Sequence, residues 1–480
     1  GQRVIVSLFE GLTVLDETTS QPLPGLAERW EVSPNGLVYT FFLRPNARWS
    51  NDDPVTARDF AYSFERILQP ALGAQYAYML WPIKNAEAFN TGKLMDFSRV
   101  GVEAVDDRTL RITLEHPVTY LLALATHNTW KPVHRATVEK SGRSDDHSSP
   151  WAQAGKLVGN GAFTLAEWRP NGRLVVTKNP HYWDAAHTRL TQMVFFPTES
   201  AEVEEHNFRA GQVHVTYVLP LTKIARYRAS EPDHLRVDPL LSSWFLRFNI
   251  AKPPLNDRRV RRALSLAIDR TALSRTVFQG AYPPARALTP PGCGSYLPRA
   301  SVPDDPVAAR RLLAEAGFPG GRGLPKLEML VGIGNSNPAF EAIQEMWRQE
   351  LGASVSIVLR DNKTFYDECR AGNFAIALDG WGADYPDPMT FLDLFIANGG
   401  NNWTGWADPD YDRLIAEAGQ MADPIRREET LQAAEALLLE QGPIAPLYFE
   451  AKVYLIHPAV KGWTPAPLGG HRYQRVWLEP

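Results

Sequence analysis

The second half of the chain alternates between helix and strand signals, and this alternation most restricts the folds open to it. Asp-Pro pairs at 305–306, 408–409 and 423–424 each place a capping side chain before a proline at the first helical position. Leu327 to Val331, which is apolar except for Glu328, and Phe374 to Leu378, which is wholly apolar, have the length of buried strands. This succession predicts an α/β lobe from about residue 255 onward.

The first half of the chain consists mostly of predicted strands and turns. Apolar residues alternate over 110–114, which is typical of a half-buried strand, and two more strands flank the turn Pro170-Asn171-Gly172. One early helix has a clear start, because Thr56 stands at the cap and Asp59 at the capping-box position. We therefore expect a strand-rich first part and a helix-rich second part.

Length, composition and charge exclude several classes of protein. The 480 residues suggest roughly three domains, and a net charge of -4 gives no cationic field for nucleic acid. No apolar run approaches the roughly 18 residues of a membrane span. Core packing explains the 14 Trp more readily than ligand stacking does. The spacing of Cys293 and Cys369 does not reveal whether they pair.

Signatures of catalysis are missing from the sequence. There is no His-Glu-x-x-His motif, no phosphate-binding loop and no dinucleotide fingerprint. Gly292-Cys293-Gly294-Ser295 lacks the spacing of a nucleophile elbow. The arginines at 258, 259, 261 and 262 are interpreted as a solvated helix face that lies mostly outside. We predict no catalytic residue, no metal and no cofactor.

One segment does have the composition of a binding site. The strand at 374–378 leads directly into 379–388, where three acids accompany two glycines and two aromatic residues. Glycines allow another backbone to approach closely, and Asp384 or Asp387 could hold a cation. The same residues would also suit a turn with capping Asp side chains, or the paired carboxylates of a glycosidase. The pattern alone does not decide among these readings.

Several motifs, in a fixed order along the chain, resemble one protein family. They include Phe9-Glu10-Gly11, Asn179-Pro180-His181-Tyr182-Trp183, Leu312-Leu313-Ala314-Glu315-Ala316-Gly317-Phe318 and Gly380-Trp381-Gly382-Ala383-Asp384-Tyr385. The chain resembles the family 5 extracellular solute-binding proteins of peptide and nickel ABC importers, and among them the peptide-binding members. The N-terminus lacks the features of a signal peptide and the strand that the family places before Phe9, so we expect a trimmed or natively short chain.

The resemblance implies a fold and a division into domains. The expected fold is the α/β, two-lobed periplasmic-binding-protein fold of type II, with an extra α+β domain on the first lobe. Lobe I would comprise 1–22, 158–243 and the return at 452–480. The extra domain would span 23–157, and lobe II 244–451. The lobes would close over the ligand like a clamp.

The resemblance also implies which residues bind. Asp384 would pair with the α-ammonium of a peptide, while the main chain at Gly380, Gly382 and Leu12 would pair with the peptide backbone. The remaining expected contacts are Glu10, Tyr76, Phe245, Trp381, Tyr385 and Asn402. The implied partners are a peptide and the permease subunits of an ABC importer, with no nucleic acid. The implied protein is a monomer that is periplasmic or membrane-anchored outside the cytoplasm.

Two departures from the family pattern leave the cargo open. Leu378 stands where peptide-binding relatives carry a basic residue for the carboxylate of a short peptide, and Asn362 replaces a Trp. Longer peptides, peptides with modified carboxyl ends, cell-wall peptides and cationic non-peptide ligands therefore stay open. The alternatives are the same fold with an opine, an oligosaccharide or a siderophore-like cargo, a sensory receptor, and, from another class, a glycosidase or peptidase.

Overall fold

The computed structural model describes residues 2–146, 148–198, 200–333 and 339–479. The chain divides into two compact units. Unit 1 comprises Gly1–Leu219, Gln420–Ala422 and Tyr454–Pro480, and unit 2 comprises Pro220–Gly419 and Asp423–Val453. Within the described ranges, no helix has the length and apolar character needed to cross a bilayer.

Unit 1 contains short helices and antiparallel strands. Its helices are α1 (Gln2–Leu8), α2 (Ala57–Leu68), α3 (Ala86–Asn90), α4 (Leu121–Leu124), α5 (Arg135–Lys140) and α6 (Ala201–Arg209). Its first strands are β1 (Thr13–Leu15), β2 (Pro22–Pro24), β3 (Ala27–Val32), β4 (Val38–Leu43), β5 (Val102–Ala104) and β6 (Thr109–Thr113). The later strands are β7 (Phe163–Arg169), β8 (Arg173–Lys178) and β9 (Gln192–Phe195).

The four-stranded sheet of unit 1 has the order β3-β4-β6-β5. Phe41 lies opposite Leu110 in the register of β4 and β6, and both side chains are fully buried. Helix α2 begins as predicted, because Thr56 and Asp59 form the reciprocal capping box. The helix buries Phe60 against the same core. The predicted strand at 110–114 and the predicted early helix are both confirmed.

A second sheet of unit 1 has the order β7-β8-β9. The turn between β7 and β8 is closed by a hydrogen bond from the Gly172 amide to the Arg169 carbonyl, 3.0 Å long. Asn171 occupies the left-handed region at φ 58°, which asparagine tolerates better than most residues. The two strands predicted on either side of this turn are therefore present.

Unit 2 contains longer helices around one mixed sheet. Its helices are α7 (Ile224–Ser230), α8 (Arg258–Leu266), α9 (Arg270–Ala272), α10 (Pro306–Glu315), α11 (Ala339–Leu351), α12 (Asn362–Arg370), α13 (Met389–Leu392), α14 (Pro409–Gln420) and α15 (Pro424–Gln441). Its strands are β10 (Leu235–Phe248), β11 (Leu327–Gly332), β12 (Val355–Arg360), β13 (Ile376–Gly382) and β14 (Ile444–Leu455), the last of which continues into unit 1. Two short C-terminal strands, β15 (Val460–Lys461) and β16 (Trp477–Leu478), belong to unit 1.

The sheet of unit 2 has the order β12-β11-β13-β10-β14. Strand β11 runs parallel to β12 and β13, whereas β13 runs antiparallel to β10. Apolar side chains cover both faces, with Leu378 in the main core on one face and Ala377 in a smaller cluster on the other. Burial on both faces explains why this strand is a continuous apolar run rather than an alternating one.

The predicted helix starts in unit 2 are all present. Asp305 accepts the amide of Ala308, Asp408 that of Asp410 and Asp423 that of Ile425, at 2.9 to 3.0 Å. Helix α15 ends at Gly442, whose φ of 61° lies in the left-handed region. Such a terminus favours glycine, because a side chain there would be strained.

One prediction on helix α8 was wrong. Arg258 and Arg259 are exposed as expected, but Arg261 is only 4% exposed. Its guanidinium donates to the carbonyls of Leu255, Gln441 and Gly442 at 2.7 to 3.1 Å. The carbonyls at the end of α15 have no partner within their own helix, so a buried arginine satisfies them. Arg261 therefore has a structural role.

The two cysteines are unpaired and buried. Burial raises the pKa of the Cys293 thiol well above its usual value, and raises that of Cys369 to about 12. A thiol in such surroundings stays protonated and is a poor nucleophile.

Candidate ligand-binding site

The candidate site begins in the last part of strand β13. The strand was predicted to end at Leu378, but it continues to Gly382, so Asp379 to Gly382 are strand residues rather than a turn. These four residues pair with β10, from Asp379 opposite Phe245 to Gly382 opposite Ser242. The described register between β13 and β11 ends at Leu378. Among the described residues, no strand pairs with the segment 379–382 on that side.

The main-chain groups of Gly380 and Gly382 point toward that side. The Ala383 amide donates to the Leu241 carbonyl at 2.7 Å, which makes this pair a hydrogen-bonded one. Hydrogen-bonded and non-bonded pairs alternate along an antiparallel ladder, so residues 381 and 379 also bond to β10. Gly380 and Gly382 thus direct their amides and carbonyls away from β10. An extended ligand chain could pair with them as an added strand.

The two glycines differ in how much space surrounds them. A Cβ atom on Gly380 would lie 2.8 Å from the indole ring of Trp244, so this position needs a glycine for packing within unit 2. A Cβ atom on Gly382 would meet nothing within 4 Å, and the residue is exposed. Gly382 therefore has open space on the face where a side chain would project, whereas Gly380 does not.

The first and third of the three acids in the segment are neutralised inside the protein. Asp379 accepts the Arg247 Nε–H at 2.8 Å, and both side chains are at most 3% exposed. Asp387 accepts both terminal nitrogens of Arg427 at 2.7 and 2.8 Å, and this pair too is largely buried. Buried ion pairs of this kind are structural, because removing one partner leaves an uncompensated charge.

Asp384 differs from the other two acids. It is half-buried, and the residues that the structure describes give its carboxylate neither an ion pair nor a hydrogen-bond donor. Burial raises the pKa of Asp384 to about 6, and no compensating interaction lowers it. A desolvated, unpaired carboxylate is an unfavourable feature that a bound cation would relieve. Asp384 is therefore the one acid of the segment that is prepared for a cationic group.

Thr390 positions the residues around Asp384. Its hydroxyl oxygen accepts the Asp384 amide at 3.3 Å and the Trp381 indole N–H at 3.4 Å. The Trp381 ring, which is partly exposed, is thereby fixed beside the carboxylate. Sequence reasoning missed Thr390, since a hydroxyl six residues downstream carries no pattern of its own.

A second acid near Asp384 was also missed. Burial raises the pKa of Asp393 to about 7, and the charges of Asp384 and Asp387 contribute to the same shift. Asp393 follows Phe391 and Leu392 and precedes Leu394 and Phe395. An acid inside such an apolar run was the available signal. It increases the negative field around Asp384.

The other predicted residues of unit 2 support the site from within. The Phe245 ring is fully buried and packs edge-on against Phe395, with the ring centroids 5.9 Å apart. Tyr385 is 5% exposed. The amide nitrogen of Asn402 donates to the carbonyls of Phe395, Ile396 and Trp406 at 2.8 to 3.1 Å. Phe245 and Asn402 thus hold the local fold, and a direct contact with ligand stays a prediction for them.

Glu10 of unit 1 is heavily hydrogen-bonded. Its carboxylate accepts the Tyr182 hydroxyl at 2.5 Å and the Trp183 indole at 2.7 Å. Its main-chain amide and carbonyl both bond to the Asn160 side chain, at 2.9 and 3.1 Å. Burial raises the pKa of this carboxyl group above its usual value. Glu10 therefore anchors its segment, and ligand contact by this residue stays a prediction.

Leu12 and Tyr76 also belong to unit 1. The Leu12 side chain is fully buried, and its carbonyl accepts the amides of Gly25 and Ala27, each at 3.1 Å. Tyr76 is 42% exposed, and its ring stacks on Tyr78 with centroids 5.7 Å apart. Tyr76 thus offers an exposed aromatic surface, whereas Leu12 has only its main-chain amide to offer.

The sequence and the fold are similar to those of known proteins. The chain is 35% identical over 467 residues to the periplasmic oligopeptide-binding protein OppA of Salmonella typhimurium, covering 95% of this chain and 84% of the relative. It is 34% identical over 473 residues to the probable deoxycholate-binding periplasmic protein YgiS of Escherichia coli, covering 96% and 86%. The crystal structure of Haemophilus influenzae OppA in complex with the peptide RPPGFSPFR matches with a TM-score of 0.84 at 30% identity, covering 99% of this chain and 94% of that one.

These matches define the class of protein as an extracellular solute-binding protein with the two-lobed α/β fold of type II, as predicted. The family model for the bacterial extracellular solute-binding proteins, family 5 Middle, matches residues 21–403. The chain therefore belongs to family 5 of the bacterial extracellular solute-binding proteins.

Proposed function

We propose that this protein is the peptide-binding component of an ABC importer and that Asp384 binds the α-ammonium of the peptide. The observation that carries this proposal is the contrast among the three acids of the segment 379–388. Asp379 and Asp387 each have an arginine partner, whereas Asp384 has no partner among the described residues. A cation supplied by the ligand would pair with Asp384, and each of the three acids would then have a cationic partner.

The chemistry favours an amine over a metal ion as this cation. A metal site needs several ligands around one ion, and the described residues contain no group of three or more suitable side chains. An ammonium needs only to donate a charge-assisted hydrogen bond to one or two carboxylates. With a pKa of about 6, Asp384 is mostly ionised at neutral pH, so the attraction is present where the protein works.

The main chain next to Asp384 supports a peptide in particular. The amides and carbonyls of Gly380 and Gly382 point away from β10, which suits pairing with an extended backbone. Main-chain bonds supply affinity that every peptide shares, so side chains need not be recognised closely. Trp381 and Tyr76 would provide apolar surfaces for those side chains.

A second cargo has some support from the structure. Leu378, which replaces the basic residue of peptide-binding relatives, is fully buried in the core of unit 2 and has no role at a ligand carboxylate. Because a relative of 34% identity is a probable deoxycholate-binding protein, non-peptide cargo occurs among close relatives. The second candidate is therefore the same importer function with a non-peptide ligand. In either case the partners would be the permease subunits of the importer, and this protein would act outside the cytoplasm.

Calorimetry with defined peptides tests the proposal. The protein is unfolded, dialysed and refolded to remove bound cargo, and then titrated with di- to pentapeptides and with their N-acetylated counterparts. We expect peptides with a free amino terminus to bind with dissociation constants of roughly micromolar order, which correspond to a binding free energy of about -8 kcal/mol. The N-acetylated peptides should not bind. Equal binding of acetylated peptides would contradict the role of Asp384, and no binding of any peptide would refute the peptide function.

Two further measurements separate the alternatives. Mass spectrometry of the ligand that co-purifies with the protein distinguishes a peptide from a steroid-like, sugar-like or opine cargo. Incubation with peptide and glycan pools tests for turnover, which a binding protein does not show.

A further inference from the structure

A cavity of about 100 Å³ lies within unit 1. One wall is formed by the segment that contains Glu10 and Gly11, and another by the C-terminal segment from Ala466 to Gln474. Two cations, Lys131 and Arg472, line this cavity. The volume is sufficient for a small anionic group together with water.

The Lys131 ammonium forms no close ion pair in the part of the chain that the structure describes, and Glu10 is the acid whose charge acts on it. Burial lowers the pKa of Lys131 to about 8, and the charge of Glu10 offsets only part of this effect. The neighbouring His127 is held neutral, because burial and the Lys131 charge lower its pKa to about 4. The stem of Lys131 lies against Gly11, whose added Cβ atom would be 3.6 Å from the lysine Cγ. The charged ammonium of Lys131 is thus placed beside the cavity, where burial removes part of its hydration.

Arg472 provides an independent observation. Its Nε–H is buried and has no hydrogen-bond partner, and the described residues offer its guanidinium no ion pair. A buried, unsatisfied donor costs roughly 1–3 kcal/mol, and more when the group is charged. Native proteins leave few such groups, so each one points to a missing acceptor.

The acids of the cavity already have partners within unit 1. Glu10 is bound by Tyr182 and Trp183, as described above. The Asp16 carboxylate accepts the amides of Thr18 and Thr19 at 3.0 and 2.8 Å. The Glu17 carboxylate accepts the Thr464 hydroxyl at 2.6 Å and the Arg472 amide, and it lies 3.6 Å from the His471 ring. The carboxylates of this cavity therefore have hydrogen-bond donors, whereas the described residues give the Lys131 ammonium and the Arg472 Nε–H no acceptor, although the charges of Glu10 and Asp16 act at a distance on these cations.

We infer that Lys131 and Arg472 form a binding site for a carboxylate of the peptide ligand. This inference rests on the proposed function. It supplies the carboxylate-binding cation that strand β13 lacks, because Leu378 occupies that place with a buried apolar side chain. Lys131 lies next to Gly11 and Leu12, the segment that is expected to pair with the peptide main chain.

The test compares peptides that differ only in one carboxylate. Trialanine and trialanine amide report on the carboxyl end, and Ala-Glu-Ala amide and Ala-Gln-Ala amide report on an acidic side chain. We expect wild-type protein to prefer the acid of at least one pair by tenfold or more. Lys131→Met and Arg472→Met should each reduce this preference to below threefold, while Lys156→Met, at an exposed lysine of the same unit, should leave it unchanged.

The pH dependence gives a readout that a structural role would not produce. The acid-to-amide preference should fall as pH rises through about 8, because Lys131 loses its proton there, and Lys131→Arg should keep the preference at pH 9. The Arg variant controls for the titration of the other charged groups that line the same cavity, which are Glu10, Asp16, Glu17, His471 and Arg472. It also controls for His127, whose pKa the Lys131 charge lowers.

The outcomes distinguish the inference from the function on which it rests. If the wild type binds both members of each pair equally, or if the Met variants retain the preference, Lys131 and Arg472 serve only as counter-charges to the acids around them. In that case peptide binding itself would still stand. If the wild type binds none of the four peptides, the peptide function fails and the inference fails with it. Melting temperatures within a few degrees of wild type confirm that the variants fold.

Discussion

Substituting Asp384 with Asn should stabilise the ligand-free protein while weakening its ligand. The pKa of Asp384 is raised from 3.8 to about 6 by burial alone. At about 1.4 kcal/mol per pKa unit, ionising this carboxyl group in the folded state costs about 3 kcal/mol. Because the side chain is half-buried and water screens part of the charge, we expect a gain of about 1–2 kcal/mol from Asp384→Asn.

The pH window follows from the direction of the shift. A carboxyl group whose folded pKa is raised contributes stability below its unfolded pKa, and this contribution is lost as pH rises through the folded pKa. The Asn variant should therefore match wild type near pH 4 and exceed it above pH 6. Urea unfolding of the cargo-free protein at pH 4 and pH 8, followed by the fluorescence of unit 2 tryptophans, measures this difference.

Asp387 is the matched control for this experiment. It lies three residues away, but Arg427 binds it in a bidentate pair. Asp387→Asn leaves that arginine buried without its partner, so we expect a loss of about 3–5 kcal/mol. The two neighbouring substitutions should thus change stability in opposite directions. If both destabilise the protein alike, Asp384 has a partner inside the folded chain, and the reasoning for a ligand cation is refuted.

Ligand should reverse the order of stability. A free-amine peptide at saturating concentration stabilises the wild type by mass action, whereas Asp384→Asn should bind it about 2 kcal/mol more weakly and gain less. Opposite effects in the absence and presence of ligand are expected of a binding residue. A residue that served only the fold would lose stability under both conditions.

Three further outcomes are expected. Gly380→Ala should destabilise the protein by about 1–3 kcal/mol in urea unfolding, because its Cβ would collide with Trp244. Gly382→Ala should change stability by less than about 0.5 kcal/mol, and equal losses for the two variants would contradict the packing argument. Peptide affinity should fall as pH drops below about 6, where Asp384 takes up a proton, and calorimetry between pH 4.5 and 7.5 should show a flat profile for Asp384→Asn. Cys293 should react with a thiol reagent only after unfolding, since burial keeps it protonated; rapid reaction in native buffer would show that the thiol is exposed.

Sequence reasoning was most successful where the interactions are local. The Thr56–Asp59 capping box and the Asp-Pro starts of α10, α14 and α15 each involve residues within four positions of one another. Their hydrogen bonds form whatever the rest of the chain does, so a spacing rule predicts them. Predominantly apolar runs similarly identified β11 and β13, because strands that are buried on both faces consist mostly of apolar residues.

The sequence by itself therefore determined the class of fold, the starts of helices α2, α8, α10, α14 and α15, and the segment that carries the candidate site. Only the tertiary structure decided which acid in that segment is unpaired, because Arg247 lies 132 positions from Asp379 and Arg427 lies 40 from Asp387. It also decided that Arg261 is buried, through a carbonyl 181 positions away, and that Lys131 shares a cavity with Arg472. Charges are desolvated and paired by whatever the fold brings beside them, and sequence spacing carries no record of those neighbours.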